Sequence, residues 1–135
     1  MLTVLCLTLQ DMHNHIPEFM CDQVGSRYIQ ESILEHPTSE DCDLIFNEVH
    51  HLILQLATDV FANFCIQKLL EKASTEQIAV MAENLKGNIM RLSLQTYGCR
   101  VVQKVGLFYL FRERDMLTDS AVYICDFIGS RGGIA

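Results

Sequence analysis

Apolar residues along this chain recur at three- and four-residue steps, and no stretch alternates as a half-buried strand requires. From 60 to 72, Phe61, Phe64 or Cys65, Lys68 and Leu69 step round one helix, and Thr58 or Asp59 stands where an N-cap belongs. Ser74 with Gln77 forms a capping-box pattern for a helix over 75–85, and Gly87 supplies the left-handed residue that ends it. A short helix is predicted over 88–94, and Thr96-Tyr97-Gly98 leads into another helix. Upstream the pattern predicts a short helix over 15–20, a longer one over 23–34, and a third beyond the Pro37 turn, capped by Thr38 or Ser39. The expected architecture is all-α.

The helices fall into a repeat. Ser26-Arg27-x-x-Gln30, Asn63-Phe64-x-x-Gln67 and Cys99-Arg100-x-x-Gln103 share one pattern and stand 37 and 36 residues apart. Ten residues before each triplet is an isoleucine (Ile16, Ile53, Ile89), and seven before is Phe19, Leu56 or Leu92. Four before is Asp22, Asp59 or Gln95, and one before is the small Gly25, Ala62 or Gly98. Three after the triplet start is Ile29, Ile66 or Val102. Apolar residues at matched depths are what stacked units of a solenoid need, since each unit buries its apolar face only against its neighbours. Each unit reads as a short helix, a triplet helix and a closing helix.

Composition narrows the class. In 135 residues, 50% hydrophobic content is ample for a core and too high for a disordered chain. The six cysteines show no tight pairing, and several lie on apolar helical stretches. They read as buried, reduced thiols, which fits a cytoplasmic location. The apolar start, 1–9, lacks a basic lead and is cut short by Gln10 and Asp11, so no secretory signal is expected. No apolar run reaches membrane-spanning length. His13, His15, His50 and His51 lack a partner set of ligands, so neither a metal nor another cofactor is expected. No nucleophile–base pair, phosphate loop or paired-acid motif argues for an enzyme.

The triplets carry the candidate chemistry. Residues i and i+4 of a helix share a face, so Ser26 with Gln30, Asn63 with Gln67, and Cys99 with Gln103 project together. Arg27, Phe64 and Arg100 stand beside them. A glutamine amide offers a donor and an acceptor, which suits the hydrogen-bonding edge of an unpaired base. A guanidinium or phenyl plane offers a surface on which bases stack. The formal charge of −7 opposes phosphate binding, and Glu35, Glu40, Asp41, Asp43 and Glu48 cluster between the first two triplets. Arg27, Lys68, Arg100 and Lys104 sit in or beside the triplets, so a locally basic strip on an acidic chain is expected.

The motifs Asp22-Gln-Val-Gly-Ser-Arg-Tyr-Ile-Gln30, Asp59-Val-Phe-Ala-Asn-Phe-Cys-Ile-Gln-Lys68 and Gln95-Thr-Tyr-Gly-Cys-Arg-Val-Val-Gln-Lys104 resemble the Pumilio (PUF) family of RNA-binding repeats. The order Ser-Arg, Asn-Phe, Cys-Arg resembles the first three repeats of a Pumilio homology domain, over roughly 12–105. The resemblance implies a right-handed α-solenoid of three-helix repeats with single-stranded RNA on its concave side. It implies Ser26, Gln30, Asn63, Gln67, Cys99 and Gln103 as base-edge residues, and Arg27, Phe64 and Arg100 as stacking residues. In the family's code the pairs Cys99/Gln103, Asn63/Gln67 and Ser26/Gln30 go with A, U and A, giving 5′-AUA-3′. It further implies targets in mRNA 3′ untranslated regions and protein partners that repress translation or remove poly(A), acting on a monomer. The family normally carries about eight repeats, where three are visible here, and Phe64 stands where tyrosine is common. The competing reading is a helical protein-interaction scaffold, or an incomplete fragment, with little RNA affinity. Residues 1–11 read as a lead-in and 106–135 as an irregular tail, since after Val105 neither the next closing helix nor a fourth triplet follows.

Overall fold

The computed structural model describes residues 8–112, with side-chain environments through Leu107. Eight helices follow one another: α1 (Ile16–Met20), α2 (Gln23–Tyr28), α3 (Ser39–Val49), α4 (Ile53–Thr58), α5 (Ala62–Lys72), α6 (Thr75–Leu85), α7 (Ile89–Ser93) and α8 (Gly98–Arg112). No strand occurs among the described residues. The first unit is α1–α3, the second α4–α6, and α7 with α8 begin the third.

Local chemistry explains the boundaries. Thr38 rather than Ser39 caps α3, in a reciprocal box with Asp41, and Ser74 and Gln77 form the same device at α6. Gly87, at φ 86°, follows the end of α6. Asp59 Oδ2 accepts from Phe61 N at 2.9 Å and Ala62 N at 2.8 Å, opening α5, and Asp22 Oδ2 accepts from Gly25 N at 2.8 Å, opening α2. Helix α1 has no local side-chain cap. Glu48 of α3 reaches across instead, accepting from Asn14 N at 2.8 Å and Ile16 N at 3.1 Å.

The helix expected over 23–34 is not uniformly α. After Tyr28 it passes into a π-helical turn, Ile29–Ile33, with Leu34 N donating to Ile29 O at 2.8 Å. A π turn takes one more residue than an α turn. The first triplet stands one residue further from the second than the second does from the third, and the π turn, which begins within the first triplet at Ile29, absorbs that residue.

The matched apolar columns form one continuous core. Ile16, Ile53, Leu56, Leu92, Ile29, Ile66 and Val102 are buried, with Phe19 and Ile89 packed against them. Helix α5 lies centrally, against α2 and the π turn on one side and α8 on the other. Two sequence boundaries shift. Leu9 is a core residue beside Met12, so the end of the 1–11 lead-in belongs to the packed unit. The irregular tail does not begin at 106, because α8 runs on to Arg112. Gly106 is a buried residue within that helix. Residues 1–7 and 113–135 lie outside the described residues.

Gly25 is fixed by packing. A Cβ there would sit 2.4 Å from the carbonyl oxygen of Phe19. Alanine gains about 1 kcal/mol over glycine in a helix, but driving α2 off α1 costs about 1–3 kcal/mol. Gly25→Ala is therefore expected to lower the melting temperature, as a thermal unfolding curve would read. A variant that melts higher would contradict this packing.

Candidate nucleic-acid interface

The first triplet lies on α2 and the π turn that continues it, which carries Gln30, and the second and third lie on α5 and α8; α5 packs against the first of these on one side and α8 on the other. The structure thus brings the expected residues onto neighbouring elements. Their exposure differs. Gln30, Gln67, Gln103 and Cys99 are half-buried, while Arg27, Phe64 and Arg100 are exposed. Ser26 and Asn63 are buried. Their hydrogens are committed inside the fold.

Ser26 Oγ donates to Phe61 O of the next unit at 2.9 Å and lies 3.3 Å from Cys65 Sγ. Burial pushes the Cys65 thiol up to about 11, against the lowering effect of its bond with Ser26, so it stays protonated. Asn63 Nδ2 donates to Asp59 O at 2.7 Å and Val60 O at 3.0 Å, which uses both amide hydrogens.

Both residues turn their free lone pairs on the glutamine one turn later. Gln30 Nε2 donates to Ser26 Oγ at 2.9 Å, and Gln67 Nε2 donates to Asn63 Oδ1 at 3.1 Å. Each bond leaves the glutamine one N–H and the carbonyl oxygen, so a donor and an acceptor remain side by side in a set orientation. In the third unit Cys99 Sγ donates to Thr96 O at 3.3 Å, and Gln103 makes no side-chain hydrogen bond among the described residues.

The charge pattern is also rearranged from expectation. Lys68 Nζ bonds Glu35 at 2.5 Å, and Lys104 Nζ bonds Glu71. Neither lysine is a bare cation on the strip. Arg27 and Arg100 make no ion pair among the described residues and supply its uncompensated positive charge. Three of the acids between the first two triplets have structural partners: Asp41 in the α3 cap, Asp43 accepting from Gln77 at 2.7 Å, and Glu48 at α1. The pairing of Lys68 and Lys104 was missed in the sequence. Its only trace is a glutamate 33 residues before each lysine.

Histidines serve packing and local pairs. His13 Nδ1 lies 3.1 Å from Glu48, His15 Nδ1 lies 3.3 Å from Glu18, and His50 stacks on Phe46. No three metal-ligating side chains converge among the described residues. No helix among them is long and apolar enough to cross a membrane.

Comparison with known proteins agrees with this geometry. The Pumilio-family RNA binding repeat matches residues 15–50, 53–85 and 88–105. Pumilio homolog 1 of Xenopus laevis is 47% identical over 98 residues, covering 73% of this chain and 8% of the relative. A putative pumilio homolog 7 of Arabidopsis thaliana is 38% identical over 98 residues, covering 70% of this chain and 15% of the relative. The Puf3 RNA binding domain bound to the Cox17 RNA 3′ UTR recognition sequence superposes with a TM-score of 0.71 at 40% identity, over 76% of this chain and 29% of that domain. The yeast Puf5p RNA-binding domain bound to SMX2 RNA gives 0.70 at 25% identity, over 87% and 30%. The chain therefore spans a small part of the relatives it matches. A repeat matched in three successive units, with its core columns and triplets in register, shows that this chain belongs to the Pumilio family of RNA-binding repeats.

Proposed function

We propose that this chain binds single-stranded RNA sequence-selectively, one base per unit, with the core 5′-AUA-3′. One observation carries the reading. Glutamines on three neighbouring helices each stand beside an exposed flat side chain, and two of those amides are held by a bond from the preceding turn. Gln30, Gln67 and Gln103 meet base edges. Arg27, Phe64 and Arg100 enter the gaps between bases, where stacking contributes about 1–3 kcal/mol per base. Ser26 and Asn63 act largely through the glutamines they hold, and Cys99 lies closer to the surface. The targets are 3′ untranslated regions of mRNA, read in the cytoplasm by a monomer that engages repressing or deadenylating proteins.

The test is binding of short RNAs carrying AUA or ACA. Uracil offers an acceptor beside a donor, and cytosine reverses them, so an oriented Gln67 amide separates the two. A mismatched bidentate pair costs about 1–3 kcal/mol, so AUA is expected to bind about 5- to 150-fold more tightly by fluorescence anisotropy. The double variant Asn63→Ala/Gln67→Ala is expected to erase that difference. Equal affinity of the native chain for both RNAs overturns the reading.

The paired state of Lys68 and Lys104, on a chain of charge −7, favours a second reading as a protein-interaction scaffold. Titration with a long uridine- and adenine-rich RNA at low salt separates the two. A folded helical chain that stays unbound there supports the scaffold.

A further inference from the structure

Glu35 and Glu71 occupy unequal places in their units, nine residues after Ser26 and eight after Asn63. Yet each meets a lysine 33 residues further on, Lys68 and Lys104. The π turn at Ile29–Ile33 takes up the extra residue and returns Glu35 to the position that Glu71 holds without one. An insertion of one residue in a regular α-helix would rotate Glu35 by about 100° away from its partner. The π turn thus allows the same contact in both units despite the extra residue.

The contact ties neighbouring triplet helices. Lys68 begins directly after Gln67, crosses to the preceding unit, and donates both to Glu35 and to the backbone carbonyl of Gln30 at 3.4 Å. Its side chain is 31% exposed, so most of its stem lies against protein. Lys104 follows Gln103 in the same manner. In each case the lysine next to one reading glutamine reaches the helix that carries the previous one. The glutamate partner holds the Lys68 ammonium in its charged form, and Lys68 in turn lowers Glu35 below the usual carboxylate range.

We infer that Lys68–Glu35 and Lys104–Glu71 are spacing clasps: positioning residues that set the separation between successive glutamines, and so the length of RNA that each step admits. The inference deepens the RNA reading and rests on it for its functional consequence. An exposed ion pair adds little to global stability, so the clasps act on local geometry rather than on the melting temperature.

The test uses the full chain and its Lys68→Gln, Glu35→Gln and reciprocal Glu35→Lys/Lys68→Glu variants. Amide hydrogen exchange without RNA is expected to speed several-fold over 29–33 in both single variants, at nearly unchanged melting temperature, and to recover in the charge swap. Affinity is then compared for an AUA RNA and for one with an abasic nucleotide inserted before the final A. The native chain is expected to disfavour the insertion, and either single variant to relax that preference by threefold or more. If Lys68→Gln weakens binding and flattens its salt dependence while Glu35→Gln strengthens it, Lys68 is a phosphate ligand restrained by Glu35, and the clasp is overturned. Unchanged exchange in both single variants also overturns it. A native chain that binds neither RNA defeats the RNA reading alone, and the exchange data then decide the clasp.

Discussion

Replacing Phe64 with alanine is expected to weaken binding of an AUA-containing RNA by about 5- to 150-fold, the equivalent of the 1–3 kcal/mol that one base–aromatic stack contributes. Phe64 is 44% exposed in the middle of the strip, between units whose corresponding side chains are Arg27 and Arg100. Phe64 is not among the residues of the buried core, so truncation opens no core cavity, and the helical circular dichroism signal and its melting midpoint should hold. Affinity and stability then separate cleanly. Phe64→Tyr should retain most of the binding, because the π-face is kept. Arg27→Ala and Arg100→Ala should weaken binding too, but with a second signature. Each removes a cation without a carboxylate partner among the described residues, and a single-stranded ligand loses about 0.7 from the slope of log affinity against log salt per phosphate contact. Phe64→Ala should leave that slope unchanged. Native-like affinity in Phe64→Ala, measured by anisotropy on folded protein, would remove the stacking role and with it the strongest argument for bases along this strip.

Much of this arrangement was legible before any coordinates, for a physical reason. Helix caps act within four residues, so Ser74 with Gln77 and Gly87 spoke for themselves, and the core columns Ile16/Ile53/Ile89 and Ile29/Ile66/Val102 repeat because every unit must bury the same face. Gln30, Gln67 and Gln103 were visible on the same grounds. What escaped notice depends on contacts between units. That Ser26 gives its hydrogen to Phe61 O, or that Lys68 is held by Glu35, follows only once the rise and rotation from one helix to the next are fixed. The unequal spacing of the triplets carried the trace of the π turn, but nothing in a sequence says whether an extra residue widens a loop or a helical turn. The burial of Asn63 was hidden because a polar side chain satisfied by the carbonyls just ahead of its own helix resembles, in sequence, one that faces water.

The second large effect concerns the same helix from its inner side. Leu69→Ala is expected to destabilise the chain by about 2–5 kcal/mol, the usual range for truncating a fully buried leucine. A repeat array of this size shifts by about 4–8 °C per kcal/mol, so the melting midpoint should fall by roughly 10 °C or more. Leu69 has no solvent exposure and sits on α5, which packs against α2, α3, α4 and α8. Stability in a solenoid is approximately a sum of unit terms and nearest-neighbour interfaces. A cavity in the central unit therefore weakens both of its interfaces at once. Val105 occupies the corresponding position six residues after Cys99, is also buried, and faces only one neighbouring unit among those described. Val105→Ala also deletes fewer atoms and is expected to cost less than half as much. Denaturant titration of the two variants decides the point. Similar losses at both positions would mean that α5 is not the coupling element. A larger loss at Leu69 that leaves RNA affinity intact well below the melting range would show that α5 holds the units together with one face while its opposite face, through Phe64 and Gln67, does the reading.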